Sequence, residues 1–140
     1  MVAEEELRRT NQLLETTQAM ARLGGWELDV VHDTLFWTDE TYRLHDSSPA
    51  EYSPTVATGI KFYAPESIPL ITAALEDAVE HGTPFDLDLE LITATGRRIS
   101  VRATGIATTE QGRTTKITGA FQDITEHKRI EAQLIPGTLR

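Results

Sequence analysis

The chain has no cysteine among its 140 residues. That absence excludes disulfide bonds, thiolate metal sites, a cysteine nucleophile and photochemistry that joins a thiol to a flavin. The sequence also has no hydrophobic run near the roughly 20 residues of a membrane-spanning helix, and its first residues do not follow the pattern of a signal peptide. We therefore expect a cytoplasmic protein or fragment that makes no direct membrane contact.

Lysine is scarce as well. Three lysines stand against 22 acidic residues, and the formal net charge is −9. This charge repels nucleic acid, and only Arg97, Arg98 and Arg102 form a local basic group, so we expect no nucleic-acid partner. Acidic, lysine-poor surfaces are typical of proteins from high-salt cytoplasms, in which salt screens the self-repulsion. The composition thus favours a halophilic source, such as a haloarchaeon.

A chain of this length folds as one domain, and its first segment, 3–22, has the pattern of a flanking helix. Acidic residues fill the first turn and Arg22 lies in the last, as the helix dipole favours. Apolar residues recur every seven positions from Leu7, and the glycines at 24–25 are predicted to end the helix. This short apolar repeat is compatible with packing of the helix on the chain's own domain and with coiled-coil pairing. We expect a homodimer through this helix.

Alternating apolar and polar residues predict five strands. The first two, 26–31 and 35–37, form a hairpin around a turn at 32–33. The last three contain the alternating residues of 85–91, 99–103 and 117–121, with turns at 95–96 and 110–112.

The region between the two groups of strands is predicted to be helical. Asp39 caps a short helix at 40–45, and an irregular helical turn lies within 55–63. Pro65 occupies the first position of a longer helix, which Gly82 ends. Two strands, a helical middle and three strands predict an α+β fold, with a five-stranded antiparallel sheet and helices on one face.

The last strand runs into a helix without a linker. Residues 126–134 place Ile130 and Leu134 one turn apart, but so short a helix is marginal alone in water. It is predicted to be the start of a longer helix, and the Pro-Gly pair at 136–137 ends it or belongs to a non-native tail. We therefore divide the chain into a flanking helix at 1–22, a domain at 23–125, and an exit helix with its tail at 126–140.

Five motifs resemble those of a PAS domain, in the subgroup with an early Gly-Trp and a late Asp-Ile-Thr. In sequence letters they are GWELD at 25–29, WTDETYRL at 37–44, PFDLD at 84–88, GRRI at 96–99 and GAFQDITEHK at 119–128. The resemblance covers roughly residues 24–129, and the order of elements in PAS domains agrees with the pattern above. Two places depart from the family: Ser100 replaces a frequent aromatic residue, and 63–67 replaces a His-Pro-Asp-Asp segment.

The resemblance implies a non-catalytic sensory and dimerisation module of a signal-transduction protein. A histidine kinase is the favoured full-length protein, with a downstream output domain. A module of a transcription regulator and a purely structural interaction domain without ligand are the alternatives. An enzyme is a third class, because Asp86, Asp88 and Glu90 share one strand face. They alternate with apolar residues, however, so we expect them on the wet outer face of the sheet, and we expect no catalytic residues.

No haem or flavin cofactor is expected. Haem-binding members of the family use a histidine within the long helix, whereas the nearest histidine here, His81, stands beside the helix stop. A flavin adduct needs a cysteine, so an unknown small organic ligand or a filled core remains. The four histidines, His32, His45, His81 and His127, are predicted at turns, helix ends or the surface, and their spacing gives no metal site.

A bound ligand is expected between the long helix and the inner face of the sheet. The candidates for its apolar wall are Ile68, Ile71, Leu75, Leu89, Val101, Ile117 and Phe121, and the candidates with polar tips are Trp37, Tyr42 and Tyr63. The same residues can also be plain core.

Trp26, Asp123 and Thr125 are the candidate signal-coupling residues. Thr125 is placed to cap the exit helix, with Glu126 in its first turn. Asp123 is placed to bond the backbone near the first strand. The resemblance implies that this trio couples strain in the core to the exit helix.

Overall fold

The computed structural model describes residues 2–134. Its elements, in chain order, are helix α1 (Val2–Met20), strands β1 (Leu23–Asp29) and β2 (Thr34–Trp37), helices α2 (Asp39–Leu44) and α3 (Val56–Gly59), a 3₁₀ turn (Ile60–Phe62), helix α4 (Ile68–His81), strands β3 (Phe85–Ile92), β4 (Arg98–Glu110) and β5 (Arg113–Asp123), and helix α5 (Thr125–Leu134). The predicted Pro-Gly end of the exit helix lies outside the described residues. Among the residues described, no helix combines the length and hydrophobicity that a membrane span requires.

The five strands form one antiparallel sheet in the order β2-β1-β5-β4-β3, which confirms the predicted architecture. The first strand lies beside the last, with Gly24 paired to Phe121 and Trp26 paired to Gly119. Because these strands are antiparallel, the start of β1 meets the end of β5. The end of α1 therefore lies next to the start of α5.

One face of the sheet carries the hydrophobic core. Leu89 on β3 and Val101 on β4 are buried, whereas Asp86 and Asp88 on the opposite face of β3 are exposed, as the alternation predicts. Helix α4 packs across β3, β4 and β5, and its Ile71 is buried in the core between the two layers. Helices thus cover the inner face of the sheet, and the carboxylates of Asp86 and Asp88 lie on its solvent-exposed face.

One row of paired residues crosses all five strands and consists of Trp37, Trp26, Gly119, Gly105 and Phe85. The rings of Trp26 and Phe85 stack with their centroids 6.1 Å apart. A Cβ at Gly105 would lie 2.5 Å from the Phe85 ring. Glycine at this position therefore lets the ring lie against the sheet.

Helix α1 ends earlier than predicted, and the glycines at 24–25 belong to β1, which covers 23–29 rather than 26–31. Arg22 has a left-handed backbone with φ of 53° and turns the chain directly into the strand. Gly24 serves a close approach instead of a helix end, because a Cβ there would lie 2.7 Å from Thr41 N. Thr41 Oγ1 donates to Gly25 O at 2.8 Å, which fixes α2 against β1.

Helix α4 begins at Ile68 rather than at Pro65. The segment 63–67 is held to β3 instead, where Tyr63 forms an antiparallel bridge with Leu91. The backbone pairing of this segment with β3 competes with a helical conformation. Helix α4 therefore begins only after that pairing ends.

The other helix boundaries are closer to the predictions. Gly82 has φ of 70° and ends α4 as predicted. The irregular turn predicted within 55–63 is α3 with the 3₁₀ turn. Asp39 lies in the first turn of α2, and Thr38 takes the cap position, so the predicted cap is wrong by one residue. Thr38 Oγ1 accepts Gly25 N–H at 2.8 Å, which ties this position to β1.

Candidate functional site

A cavity of about 50 Å³ lies between α4, the α2–α3 segment and the inner face of the sheet. Its lining is largely aromatic and aliphatic and consists of Trp26, Leu28, Leu35, Trp37, His45, Val56, Gly59, Ile60, Tyr63, Ile71, Leu75, Ala103 and Phe121. Ligand pockets commonly enclose about 300–1,000 Å³. This cavity therefore has room for a molecule of only a few non-hydrogen atoms.

The predicted pocket residues divide into two groups. The residues that line the cavity are Trp37, Tyr63, Ile71, Leu75 and Phe121, and Trp26 joins them. The residues that pack in the core without lining the cavity are Tyr42, Ile68, Leu89, Val101 and Ile117. Alternation along a strand identifies inward side chains, but the packing of the helices decides which of them border a void.

His45 lies at the end of α2, as predicted, but it lines the cavity instead of the surface. Only 1% of the residue is exposed, and its ring stacks on Trp37 with the centroids 4.2 Å apart. Phe62 and Phe121 meet the imidazole edge-on. The residue does follow α2, but the chain turns it inward there. No local sequence signal indicates this burial, because Thr41, one turn earlier, is itself seen to be buried only in the folded structure.

The imidazole of His45 is held in one protonation state. Its Nδ1–H donates to Thr41 O at 2.7 Å, since a carbonyl oxygen only accepts. Burial lowers the pKa of His45 from 6.5 to about 4, against the opposing effects of the Thr41 carbonyl and Asp46. The ring is therefore neutral at pH 7, and its Nε2 is a hydrogen-bond acceptor.

The remaining histidines are exposed, as predicted, and pair with carboxylates on their own elements or turns: His32, His81 and His127. Within residues 2–134 no group of three or more His, Cys, Asp or Glu side chains is arranged to hold a metal ion.

Asp123 connects the two ends of the domain where β5 stops. Its Oδ1 accepts Thr125 N–H at 3.0 Å and the Thr125 hydroxyl at 2.6 Å. Its Oδ2 lies 3.2 Å from Arg22 Nη2, and Asp123 N–H donates to Arg22 O at 3.2 Å. We refer to Arg22, Asp123 and Thr125 as the terminal junction. One carboxylate thus contacts both the residue before β1 and the first residue of α5.

Strand β4 also contacts the terminal junction. Ser100 N–H donates to Thr125 Oγ1 at 3.1 Å, and Ser100 O accepts Ile124 N–H at 2.9 Å. Because Thr125 Oγ1 is used between Ser100 and Asp123, the side-chain cap predicted for Thr125 comes from Asp123 instead. The predicted bond from the Asp123 side chain to the backbone near the first strand is replaced by two contacts with Arg22, in which the carboxylate pairs with the guanidinium and the Asp123 N–H donates to Arg22 O.

The family model described as PAS fold matches residues 34–121, more than half of the chain. The chain belongs to the PAS family. This match, together with the sheet order and helices described above, confirms the resemblance seen in the sequence motifs. None of the curated proteins matches the chain.

Solved structures with the same fold come from several signalling proteins. A sensory box histidine kinase/response regulator from Burkholderia thailandensis has a TM-score of 0.71 and 19% identity, over 86% of this chain and 91% of that one. The N-terminal domain of a diguanylate cyclase with PAS/PAC sensor from Marinobacter aquaeolei has a TM-score of 0.68 and 13% identity, over 76% and 98% of the chains. A domain from Haloarcula marismortui, described as belonging to a light and redox sensing histidine kinase, has a TM-score of 0.64 and 20% identity, over 84% and 99%. At such identities the likeness shows the fold alone.

Trp26 lies apart from the terminal junction in this PAS domain. Its Cα pairs with Gly119, and its ring lies in the core near Phe85 and Phe121. Its Nε1 is buried without a hydrogen-bond partner among the described residues. The predicted coupling trio is therefore split between the cavity, which Trp26 lines, and the junction, which holds Asp123 and Thr125.

Helix α1 presents its apolar side to solvent. Gln18 and Ala19 are half-buried against the PAS core. Apart from Val2 at its start, the exposed large apolar residues of this helix are Leu7, Leu13, Leu14 and Met20, with 54–81% of their surface accessible. With roughly 100° between successive residues of a helix, these four side chains form a stripe on the side facing away from Ala19. We refer to this set as the α1 stripe.

Proposed function

We propose that this PAS domain is a non-catalytic sensory and dimerisation module of a signal-transduction protein, and that its output is a histidine kinase. Its terminal helices would carry the state of the domain to that output. The observation that carries the proposal is the terminal junction, in which the Asp123 carboxylate contacts both Arg22 and Thr125.

Strand β5 supplies the route from core to junction. Phe121 lines the cavity, and Asp123 follows two residues later on the same strand. Since β5 is paired on both sides, by β1 and β4, a change in its position alters how Asp123 meets Arg22 and Thr125. A ligand or partner shifts such an equilibrium only through different affinities for the two positions.

Helix α1 supports a homodimer. An isolated helix gains little stability from its backbone alone, and the α1 stripe has no cover from the residues that the structure describes. A second copy with the same stripe, side by side, would remove these side chains from water. Such pairing would place both copies of the terminal junction next to the C-terminal ends of the paired α1 helices.

The small cavity supports a domain that senses a partner protein or a molecule of only a few non-hydrogen atoms. A volume of about 50 Å³ is far below that of a haem or flavin site, so we propose neither cofactor. The same volume favours the second candidate function, a PAS interaction domain that binds no ligand. A module of a transcription regulator differs only in the output domain.

The experiment is replacement of the junction side chains in the full-length protein. Asp123→Asn and Thr125→Val should change kinase autophosphorylation, because the first removes the charge that pairs with Arg22 and the second removes the hydroxyl bond between α5 and β5. Asp86→Asn is the matched control, since this carboxylate pairs with Arg102 on the outer face and has no contact with the junction. Circular dichroism should show an intact fold in all three. Unchanged output in both junction variants would overturn the proposed coupling.

A further inference from the structure

The two places where the sequence departs from the PAS pattern, Ser100 and 63–67, are joined in space by Glu90. The backbone of Glu90 holds the segment before α4. Glu90 O accepts Ala64 N–H at 2.9 Å, and Glu90 N–H donates to Ser67 Oγ at 2.9 Å. Ser67 is only 3% exposed, so this attachment is shielded from water.

The side chain of Glu90 points to the outer face and reaches the neighbouring strand. Its Oε2 accepts the hydroxyl of Ser100, its cross-strand partner, at 2.5 Å. Its Oε1 lies 3.3 Å from Arg98 Nε, and Arg98 Nη2 donates to Glu66 Oε2 at 2.7 Å. Glu90 therefore meets the segment before α4 twice, through its own backbone and through Arg98.

Ser100 extends this chain of contacts to the exit helix. Its hydroxyl binds Glu90, while its backbone N–H and C=O bind Thr125 and Ile124 at the start of α5. An aromatic side chain at this position, as is frequent in the family, has no hydroxyl in reach of such a carboxylate. The contact is thus a property of this chain and its departures from the pattern.

We propose that Glu90 and Ser100 are positioning residues that link the segment before α4 to the start of α5. Tyr63 begins that segment and Ile71 follows it on α4, and both line the cavity. Displacement of this cavity wall moves Glu90 through the Ala64 and Ser67 bonds, and Ser100 passes the movement to α5. This second route runs through β3 and β4 rather than along β5, and it rests on the proposed function because it ends at the terminal junction.

The test uses amide hydrogen exchange of the 140-residue chain, followed by NMR at Lys128, whose N–H donates to Ile124 O at 2.8 Å. Ser100→Ala keeps the backbone bonds to the junction and removes only the hydroxyl bond to Glu90. It should speed exchange at Lys128 about fivefold, the effect of one hydrogen bond. Asp86→Asn, on the same face of β3 as Glu90, should leave this exchange unchanged. Wild-type exchange in the Ser100→Ala variant would overturn the proposal.

A second variant tests the route rather than the bond. Glu66→Gln weakens the ion pair between Glu66 and Arg98. The Glu66 side chain is 57% exposed, so the substitution does not endanger folding. It should speed Lys128 exchange when Ser100 is present and have no further effect when combined with Ser100→Ala. An equal effect in both backgrounds would show that the movement bypasses Ser100 and would overturn the proposal.

Asp123→Ala, which removes both the acceptor for Thr125 and the charge that faces Arg22, separates this inference from the proposed function. Faster exchange at Lys128 in that variant, with wild-type exchange in Ser100→Ala, refutes only the Glu90–Ser100 link. Wild-type exchange in Asp123→Ala refutes the proposed coupling role of the terminal junction.

Discussion

The indole nitrogen of Trp26 lies against Gly119, so that a Cβ added to this glycine would be 2.6 Å from Trp26 Nε1. The two residues are cross-strand partners on β1 and β5. Their contact places the tryptophan ring beside Phe85 and Phe121 and makes it part of the cavity wall. The early Gly-Trp motif and the late Gly-x-Phe motif are therefore two halves of one packing arrangement.

Gly119→Ala should lower the free energy of unfolding by at least about 1–3 kcal/mol, the usual cost of overpacking a core, because its Cβ would also meet the backbone oxygen of Thr104. Gly59→Ala is the matched control, because a Cβ there would make only ordinary contacts, 3.9 Å from Leu35, Trp37 and Tyr52. It should be neutral or slightly stabilising, since glycine is a poor residue for a helix. Urea denaturation compares the two. Equal stability of both variants would contradict the packing described.

Helix α1 should hold two copies together. Leu7→Glu combined with Leu14→Glu places charges in the α1 stripe and should raise the dimer dissociation constant at least about tenfold, because each buried leucine contributes about 1.5–3 kcal/mol. Gln12→Glu changes charge outside the stripe and should leave association intact. Deletion of residues 1–22 should act like the double variant. Analytical ultracentrifugation measures all four chains, and an unaltered dimer after the deletion would remove the claim.

His45 should make stability depend on pH. Its pKa falls from 6.5 to about 4 on folding, so the unfolded chain binds the proton more tightly. Stability is fully present above pH 6.5 and is lost as the pH falls from about 6.5 towards 4. The loss between pH 7 and pH 5 should be about 2 kcal/mol, measured as the free energy of unfolding in urea.

His45→Phe should flatten this dependence, because the ring can no longer take up a proton in the unfolded chain. His81→Gln changes an exposed histidine and should keep the dependence of the wild type. The carboxylates with lowered pKa values, such as those of Asp46 and Glu66, lose stabilisation only at lower pH. A pH profile that survives His45→Phe would refute the assignment.

Salt should stabilise the fold. A net charge of −9 repels itself in the compact state, and added ions screen that repulsion. We propose on this basis that the protein is adapted to high salt. The thermal midpoint should rise from low to molar KCl, and a midpoint that falls with added KCl would count against the proposal.

Native mass spectrometry of the purified chain should show no haem and no flavin. The cavity of about 50 Å³ is too small for either group, and His45 lies outside α4, where haem-binding relatives carry their ligand. The expected mass is that of the chain alone or with a very small organic molecule. A bound haem or flavin would refute the proposal that neither cofactor binds.

The pattern of the sequence determined the architecture because the periods of strands and helices are local properties. Alternation in Phe85–Ile92 and in the strands after it predicts which face is inward, and Gly82 marks the end of α4. The motifs from Gly25 to Lys128 were sufficient for the family. These features depend on residues near one another in the chain.

Tertiary structure decided what the local pattern leaves open. The burial of His45 depends on the turn after α2 and on Phe62 and Phe121, which come from distant parts of the sequence. Likewise, the sequence predicts that Gly24 ends a helix, and only the structure shows that this glycine allows a close approach to Thr41 instead.

The sequence by itself determined five strands, a helical middle, the PAS family and a charged, cysteine-free surface. Only the folded chain decided the size of the cavity and the partners of Asp123, because both depend on side chains brought together from separate elements. Arg22 and Ser100 are far from Asp123 or Thr125 along the chain, and nothing local to either predicts their hydrogen bonds. Packing between elements, rather than periodicity within them, builds the site.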